Sequence, residues 1–126
     1  MARRATLNYR NDPLVDRFRA IYLPRILLAF DPREVWLFGS RVRGDAMRTS
    51  DLDVVVVATA FEGVPWPERT TRVLLAAEVV DALEILCYTP AEFAEKREEP
   101  CIVQAVVEEG RRVHPARSRR VRTASR

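Results

Sequence analysis

Two carboxylates, Asp51 and Asp53, stand two residues apart at the head of an apolar run, Val54-Val55-Val56-Val57. Residues at that spacing face the same side of a β-strand, so the two acids project together. Like charges held that close repel unless a cation sits between them. Ten residues before Asp51 lies a Gly39-Ser40 turn, itself preceded by a second apolar run, Val35-Trp36-Leu37-Phe38. Two acids beside a small-residue turn point to Mg²⁺ held next to a phosphate, because Mg²⁺ prefers carboxylate oxygens and shares its shell with phosphate and water.

The elements that must carry these residues can be read in outline. Asp12-Pro13 reads as an N-cap with proline at the first helical position, followed by an apolar stripe of Leu14, Phe18, Ile21 and Tyr22. Pro24 interrupts the stripe, so the helix is expected to kink there or to restart over 24–30. Strands are expected at about 34–38, 52–57 and 82–88, since short β-branched runs between turn residues read as buried strands. Gly63-Val64-Pro65-Trp66-Pro67 is a loop, and a helix over about 68–80 follows with Val73, Leu74, Ala77 and Val80 inward. Thr89-Pro90 opens another helix, and a last one over about 101–109 stops at Gly110. Val113 adds a few paired residues. The expected units are a loose leader (1–12), one folded domain (13–113) and a basic, disordered tail (114–126).

Charge is informative once divided. The chain has 126 residues and a net charge of +3, but seven arginines and no acid fall in 111–126, leaving 14 basic against 18 acidic residues, or −4, in the rest. An acidic body without a basic stripe argues against a duplex nucleic-acid surface. Nucleic-acid contact is expected only weakly, through the tail, whose plainer role is a solubilising end. No run of about 18 apolar residues is present and the basic start lacks a signal-peptide core, so a cytoplasmic protein is expected. Cys87 and Cys101 lack metal-ligand spacing and read as free thiols, and the only histidine, His114, lies beside the tail. Trp36 reads as core and Trp66 as a packing lid.

The string Phe38-Gly39-Ser40-Arg41-Val42-Arg43-Gly44, ten residues from Ser40 to Asp51-Leu52-Asp53, resembles the signature of the nucleotidyltransferase superfamily that includes DNA polymerase β, and within it the small MNT-type (minimal nucleotidyltransferase) branch. The resemblance covers roughly residues 30 to 110. It implies an α+β fold: a small mixed twisted sheet with helices packed on one face and the acids at one end of the other. It also implies transfer of a nucleoside monophosphate from a nucleoside triphosphate to a hydroxyl, with ATP as the default donor.

Negative charge then builds on the attacked phosphorus oxygens and on pyrophosphate, and two Mg²⁺ ions ~3.5–4 Å apart can bind both the attacking and the leaving oxygen. By the resemblance, Asp51 and Asp53 both reach metal. A third carboxylate is implied just before a Tyr-Thr-Pro-like segment, here Tyr88-Thr89-Pro90. Asp81 and Glu84 are the candidates. Strand parity favours Glu84, on the face of Leu86 and Tyr88, as metal ligand or as acceptor of the attacking hydroxyl's proton; Asp81 has the opposite parity and sits at a helix-to-strand junction. Gly39 and Ser40 make the phosphate-binding turn, Arg43 is the favoured triphosphate contact over Arg41, and Ser50 supports the nucleotide site by orienting Asp51.

The acceptor is the open question. Relatives that modify small molecules or extend nucleic acid usually add an acceptor domain, whereas here residues 1 to 110 are taken up by the core. MNT-type proteins are often paired with a helical HEPN-domain protein in toxin–antitoxin arrangements. Three functions stay in play: adenylylation of a HEPN-type toxin, non-catalytic masking of such a partner, and nucleotidyl transfer to a small cationic molecule such as an aminoglycoside.

Overall fold

A computed structural model describes residues 8–47 and 49–116. The leader before residue 8 and the basic tail from residue 117 lie outside them.

The Asp12 carboxylate caps the first helix, accepting from the backbone N–H groups of Leu14 and Val15 with Pro13 at the first position. That helix, α1 (Pro13–Arg17), does not break at Pro24. It runs through a π-helical stretch, Phe18–Tyr22, and continues as α2 (Leu23–Phe30), with the Leu23 N–H reaching back to the Phe18 carbonyl. Proline removes one helical donor and crowds the preceding turn. The wider π turn takes up that misfit, so the expected kink or restart becomes a change of pitch.

Strand β1 (Glu34–Phe38) leads into a single helical turn, α3 (Ser40–Arg43), and a loop returns the chain as β2 (Leu52–Val57), antiparallel to β1. Helix α4 (Trp66–Ala76) crosses over to β3 (Leu83–Tyr88), which lies parallel to β2. Helices α5 (Pro90–Lys96) and α6 (Ile102–Glu109) follow, and β4 (Arg111–His114) closes the sheet on the far side of β1, in the order β3-β2-β1-β4. The result is a mixed four-stranded sheet in an α+β domain.

Alternation along the strands divides the core in two. Val35, Leu37, Leu52, Val54, Val56, Ile85 and Cys87 face α1, α2 and α4, together with Phe18, Ile26 and Val73. Trp36, Val55, Val57 and Tyr88 face the other way, against Phe93 of α5 and Val103 and Val106 of α6. The main helical layer thus covers one face, while α5 and α6 cover the far part of the other. The acids stay uncovered at its near end.

One expected end moves, and one holds for a different reason. Helix α4 stops at Ala76 rather than near Val80 because Glu78 takes a left-handed conformation (φ +53°) and Arg25 of α2 donates to the Ala77 carbonyl at 2.8 Å. Val80 therefore points out, 90% exposed. Gly110 does end α6, but with φ −81° rather than left-handed. Its requirement is space: a Cβ there would stand 2.5 Å from the Val106 carbonyl oxygen and 2.8 Å from that of Leu37.

Candidate active site

Parallel pairing of β2 and β3 sets the central geometry. Asp53 is in register with Glu84, so the two side chains are same-face neighbours on strands about 4.8 Å apart. On the other flank of β2, Asp53 pairs with Phe38, the residue before the Gly39 turn. Burial pushes the Asp53 carboxyl up to about 6; the charge of Glu84, a hydrogen bond with it and the charge of Asp51 push the same way, and Arg43 opposes them. Asp51 and Glu84 are exposed at the same end of the sheet. All three acids therefore share one end of one face.

Gly39 is shaped by this arrangement. It has φ +83° and caps α3, and a Cβ on it would stand 2.0 Å from Asp53 Oδ2. Both the backbone angle and the close approach of the carboxylate exclude a side chain. Ser40 starts α3 and lines the cleft with Gly39, Arg43 and Asp53. Arg43 is exposed and pairs with Asp45 at 3.3 Å, an ion pair weak enough to exchange for a phosphate.

Ser50 is placed differently from a phosphate contact. Its hydroxyl accepts from the Met47 N–H at 3.0 Å, and its own N–H bonds the Met47 carbonyl at 2.9 Å. It closes the turn that delivers Asp51. Asp81 is turned away from the three acids: it accepts from Arg17 of α1 and from the Tyr22 hydroxyl at 2.5 Å each, and these bonds hold its carboxyl below the usual range. It joins the helical layer to the start of β3.

Two features depend on contacts between distant parts of the chain. Arg41 is 4% exposed and grips both oxygens of the fully buried Asp12, at 2.6 and 2.7 Å, while its Nε donates to the Ser50 carbonyl at 2.9 Å. One guanidinium thus links the α1 cap, the Gly39 turn and the loop into Asp51. The cleft, about 360 Å³, also takes a wall from α6 through Ile102, Ala105 and Glu109. Their spacing of three and four residues marks one helix face, roughly a quarter of a turn round from the buried Val103 and Val106. That periodicity is the one signal in the sequence that points to the wall.

Among the described residues, no three His, Cys, Asp or Glu side chains converge closely enough to form a complete protein cage for a metal. The donor set nonetheless fits Mg²⁺. That ion is usually held by one or two carboxylates and completed by water and substrate phosphate, and Asp53 beside Glu84 is a carboxylate pair with surplus negative charge. Among the described residues no helix is long and apolar enough to cross a membrane.

No curated protein matches the chain. A crystal structure from Sulfolobus solfataricus, at 1.40 Å and described as a candidate nucleotidyltransferase, is similar at 21% sequence identity and a TM-score of 0.48, over 75% of this chain and 84% of that one. The family described as "Nucleotidyltransferase domain" matches residues 22–114. That span runs from Tyr22 to His114 and takes in the Gly39 turn, all three acids and all four strands; the chain belongs to the nucleotidyltransferase domain family.

Proposed function

We propose that this protein is a Mg²⁺-dependent adenylyltransferase that moves AMP from ATP to a hydroxyl of a partner protein, with a HEPN-type toxin as the partner implied by the MNT-type signature. The observation that carries the reading is the in-register pair Asp53 and Glu84 beside the Gly39-Ser40 turn. Burial and a like-charged neighbour push the Asp53 carboxyl up to about 6, disfavouring its charged form, and a cation set between the acids would relieve that cost. Bound Mg²⁺ would supply neutralisation of the charge that develops on the attacked and leaving phosphate oxygens.

The chain's own groups do the rest. Asp51 and Asp53 would hold the Mg²⁺ against the triphosphate, the Ser40 hydroxyl donates to a phosphate oxygen, and Arg43 exchanges Asp45 for another. Glu84, exposed at the mouth of the site, accepts the proton of the attacking hydroxyl. A protein acceptor is supported by the lining of the cleft: its α6 wall presents Ile102, 49% exposed, and, about two turns further on, Glu109, a surface suited to a partner's side chain.

The test uses a trace of the protein with its partner, Mg²⁺ and ATP, followed by intact mass spectrometry of the partner. An added adenylyl group on most partner molecules, lost with Asp51→Asn/Asp53→Asn, supports the enzyme. An unmodified partner, inhibited only at equimolar ratio and equally by the double variant, establishes masking instead. Modification of an aminoglycoside in place of the protein assigns a small-molecule acceptor.

A further inference from the structure

Arg17, Arg25, Arg41, Arg43, Arg69 and Arg72 are all ion-paired. Arg19 and Arg111 make no ion pair among the described residues, and both are turned onto one aromatic ring, that of Tyr9. Arg19 donates to the Tyr9 hydroxyl with its Cζ 5.3 Å from the ring centroid, and the Arg111 Cζ lies 4.7 Å from the same centroid. One guanidinium thus meets the oxygen of Tyr9 and a second rests against its ring. A neutral tyrosine offsets only part of the repulsion between two cations gathered there. A phosphate on that oxygen would balance both, because the guanidinium fork fits a phosphate by paired hydrogen bonds.

We propose that Tyr9 is a self-modification site: its hydroxyl takes an adenylyl group in the active site of a second copy of this chain, and Arg19 and Arg111 then hold the attached phosphate. The transfer rests on the adenylyltransferase reading above. The Tyr9 oxygen forms the new bond to the α-phosphorus of ATP, the bond from that phosphorus to the pyrophosphate oxygen breaks, pyrophosphate leaves, and the phenolic proton passes to Glu84 of the catalysing copy.

The placement of Tyr9 supports this role. The chain has three tyrosines. Tyr22 and Tyr88 are 2% and 6% exposed, whereas the Tyr9 hydroxyl lies at the surface. Its ring packs against the core of the helical face, and Asp51, Asp53 and Glu84 stand on the other face of the sheet. The sheet separates the two, so the acids that act on Tyr9 belong to another molecule. A cavity of about 400 Å³ borders Tyr9, Arg19 and Arg111 and has room for the added group. A phosphate set against arginines also orders the segment that carries it. Tyr9 heads the turn Tyr9–Asn11, which packs against α3 and runs into Asp12, the buried carboxylate that Arg41 grips. Modification therefore fastens the segment that anchors the Gly39 turn.

The test mixes two full-length chains with Mg²⁺ and ATP. Tyr9→Phe keeps the acids and lacks the acceptor; Asp51→Asn/Asp53→Asn keeps Tyr9 and lacks the chemistry. Intact mass spectrometry and peptide mapping should find one adenylyl group on the double variant, at Tyr9, and none on Tyr9→Phe. The rate should rise in proportion to the concentration of the Tyr9→Phe chain. An unmodified double variant, or an adenylyl group at another residue, overturns the site. The HEPN-type partner, offered in parallel, separates two failures: transfer to the partner with Tyr9 untouched sinks this inference alone, and transfer to neither sinks the reading beneath it as well. The arginine clamp is tested without turnover. O-phosphotyrosine installed in place of Tyr9 through an expanded genetic code should raise the thermal midpoint by about 3 °C. Arg19→Gln/Arg111→Gln, both at exposed positions, should remove that gain. A midpoint no higher than that of the unmodified chain would overturn the clamp and the proposal with it.

Discussion

Gly39 and Asp53 occupy each other's space: the position that a Cβ on residue 39 would take lies 2.0 Å from the Asp53 Oδ2. The Gly39 turn and the second acid of the Asp-x-Asp pair are thus one packed unit, though one follows β1 and the other stands on β2. Gly39→Ala should therefore do more than strain a backbone at φ +83°. It should push the carboxylate out of line and reduce nucleotidyl transfer by at least a hundredfold, with a stability loss of about 1–2 kcal/mol. Steady-state assay beside urea denaturation separates the two; full activity in a destabilised protein would show that the contact is not part of the chemistry.

Glu84 and Asp81 should respond in opposite ways. Glu84→Gln removes the in-register neighbour of Asp53 and should lower turnover about 10²–10⁴-fold, with nucleotide affinity changed less than threefold, because a general base acts mainly in the transition state. Asp81→Asn should leave turnover within about threefold and lower the thermal midpoint only slightly, since the half-exposed Arg17 and the Tyr22 hydroxyl lose a charged acceptor. Reversed outcomes would move the third acid to Asp81.

The contrast between these two acids also marks where the sequence stops being readable. Asp51 and Asp53 share a face because of local spacing, and the parity of Glu84 is equally local. What holds Asp81 is not: Arg17 and Tyr22 lie 64 and 59 residues away. Asp12 looks like an ordinary cap from its neighbour Pro13, but its burial depends on Arg41, 29 residues on. By composition the leader reads as loose chain up to residue 12, yet that last residue is the buried anchor of the α1 cap. Gly110 reads as a helix stop and is one, but its second constraint, the Leu37 carbonyl of β1 beside that of Val106, is brought near only by tertiary packing. Strand and helix positions follow from periodicity; long-range polar partners do not.

Acidity should act through Asp53. Its pKa is about 6 in the folded protein and near 3.8 when unfolded. Between those values the unfolded chain releases a proton that the native state keeps, so the metal-free protein should lose stability as pH rises from about 4 to about 6. Asp53→Asn should abolish that slope. Asp81, held low by Arg17, works in the other direction: its stabilisation is present above the ordinary carboxylate range and is lost only as pH falls below it. Thermal midpoints of the wild type and the two Asn variants between pH 3 and 8 resolve both.

The same proton competes with metal. Mg²⁺–ATP affinity should fall about tenfold for each pH unit below about 6, and binding near pH 6 should release a proton from Asp53. Glu84→Gln takes away a neighbouring charge and should move the midpoint of this profile to lower pH. Because the nucleotide's own titration is common to both proteins, the displacement between the profiles is the quantity to measure by calorimetry. Coincident profiles would mean that Glu84 does not act on Asp53.

The strut beneath the site can be tested with a double-mutant cycle. Arg41→Met removes the partner of a carboxylate that is 0% exposed and should cost about 3–5 kcal/mol, because an uncompensated charge is left buried. Asp12→Asn should cost less, since a neutral amide oxygen can still cap Leu14 and Val15 while Arg41 keeps its bond to the Ser50 carbonyl. Combining the two should recover part of the Arg41→Met loss, giving a coupling of about 1–3 kcal/mol by urea denaturation. Recovery of stability should not restore rate, because the double variant still lacks the guanidinium that fixes Ser50 and, through the turn it closes, Asp51. Additive losses would show that the pair is not coupled. Full activity in the stable double variant would show that Asp51 finds its place without Arg41.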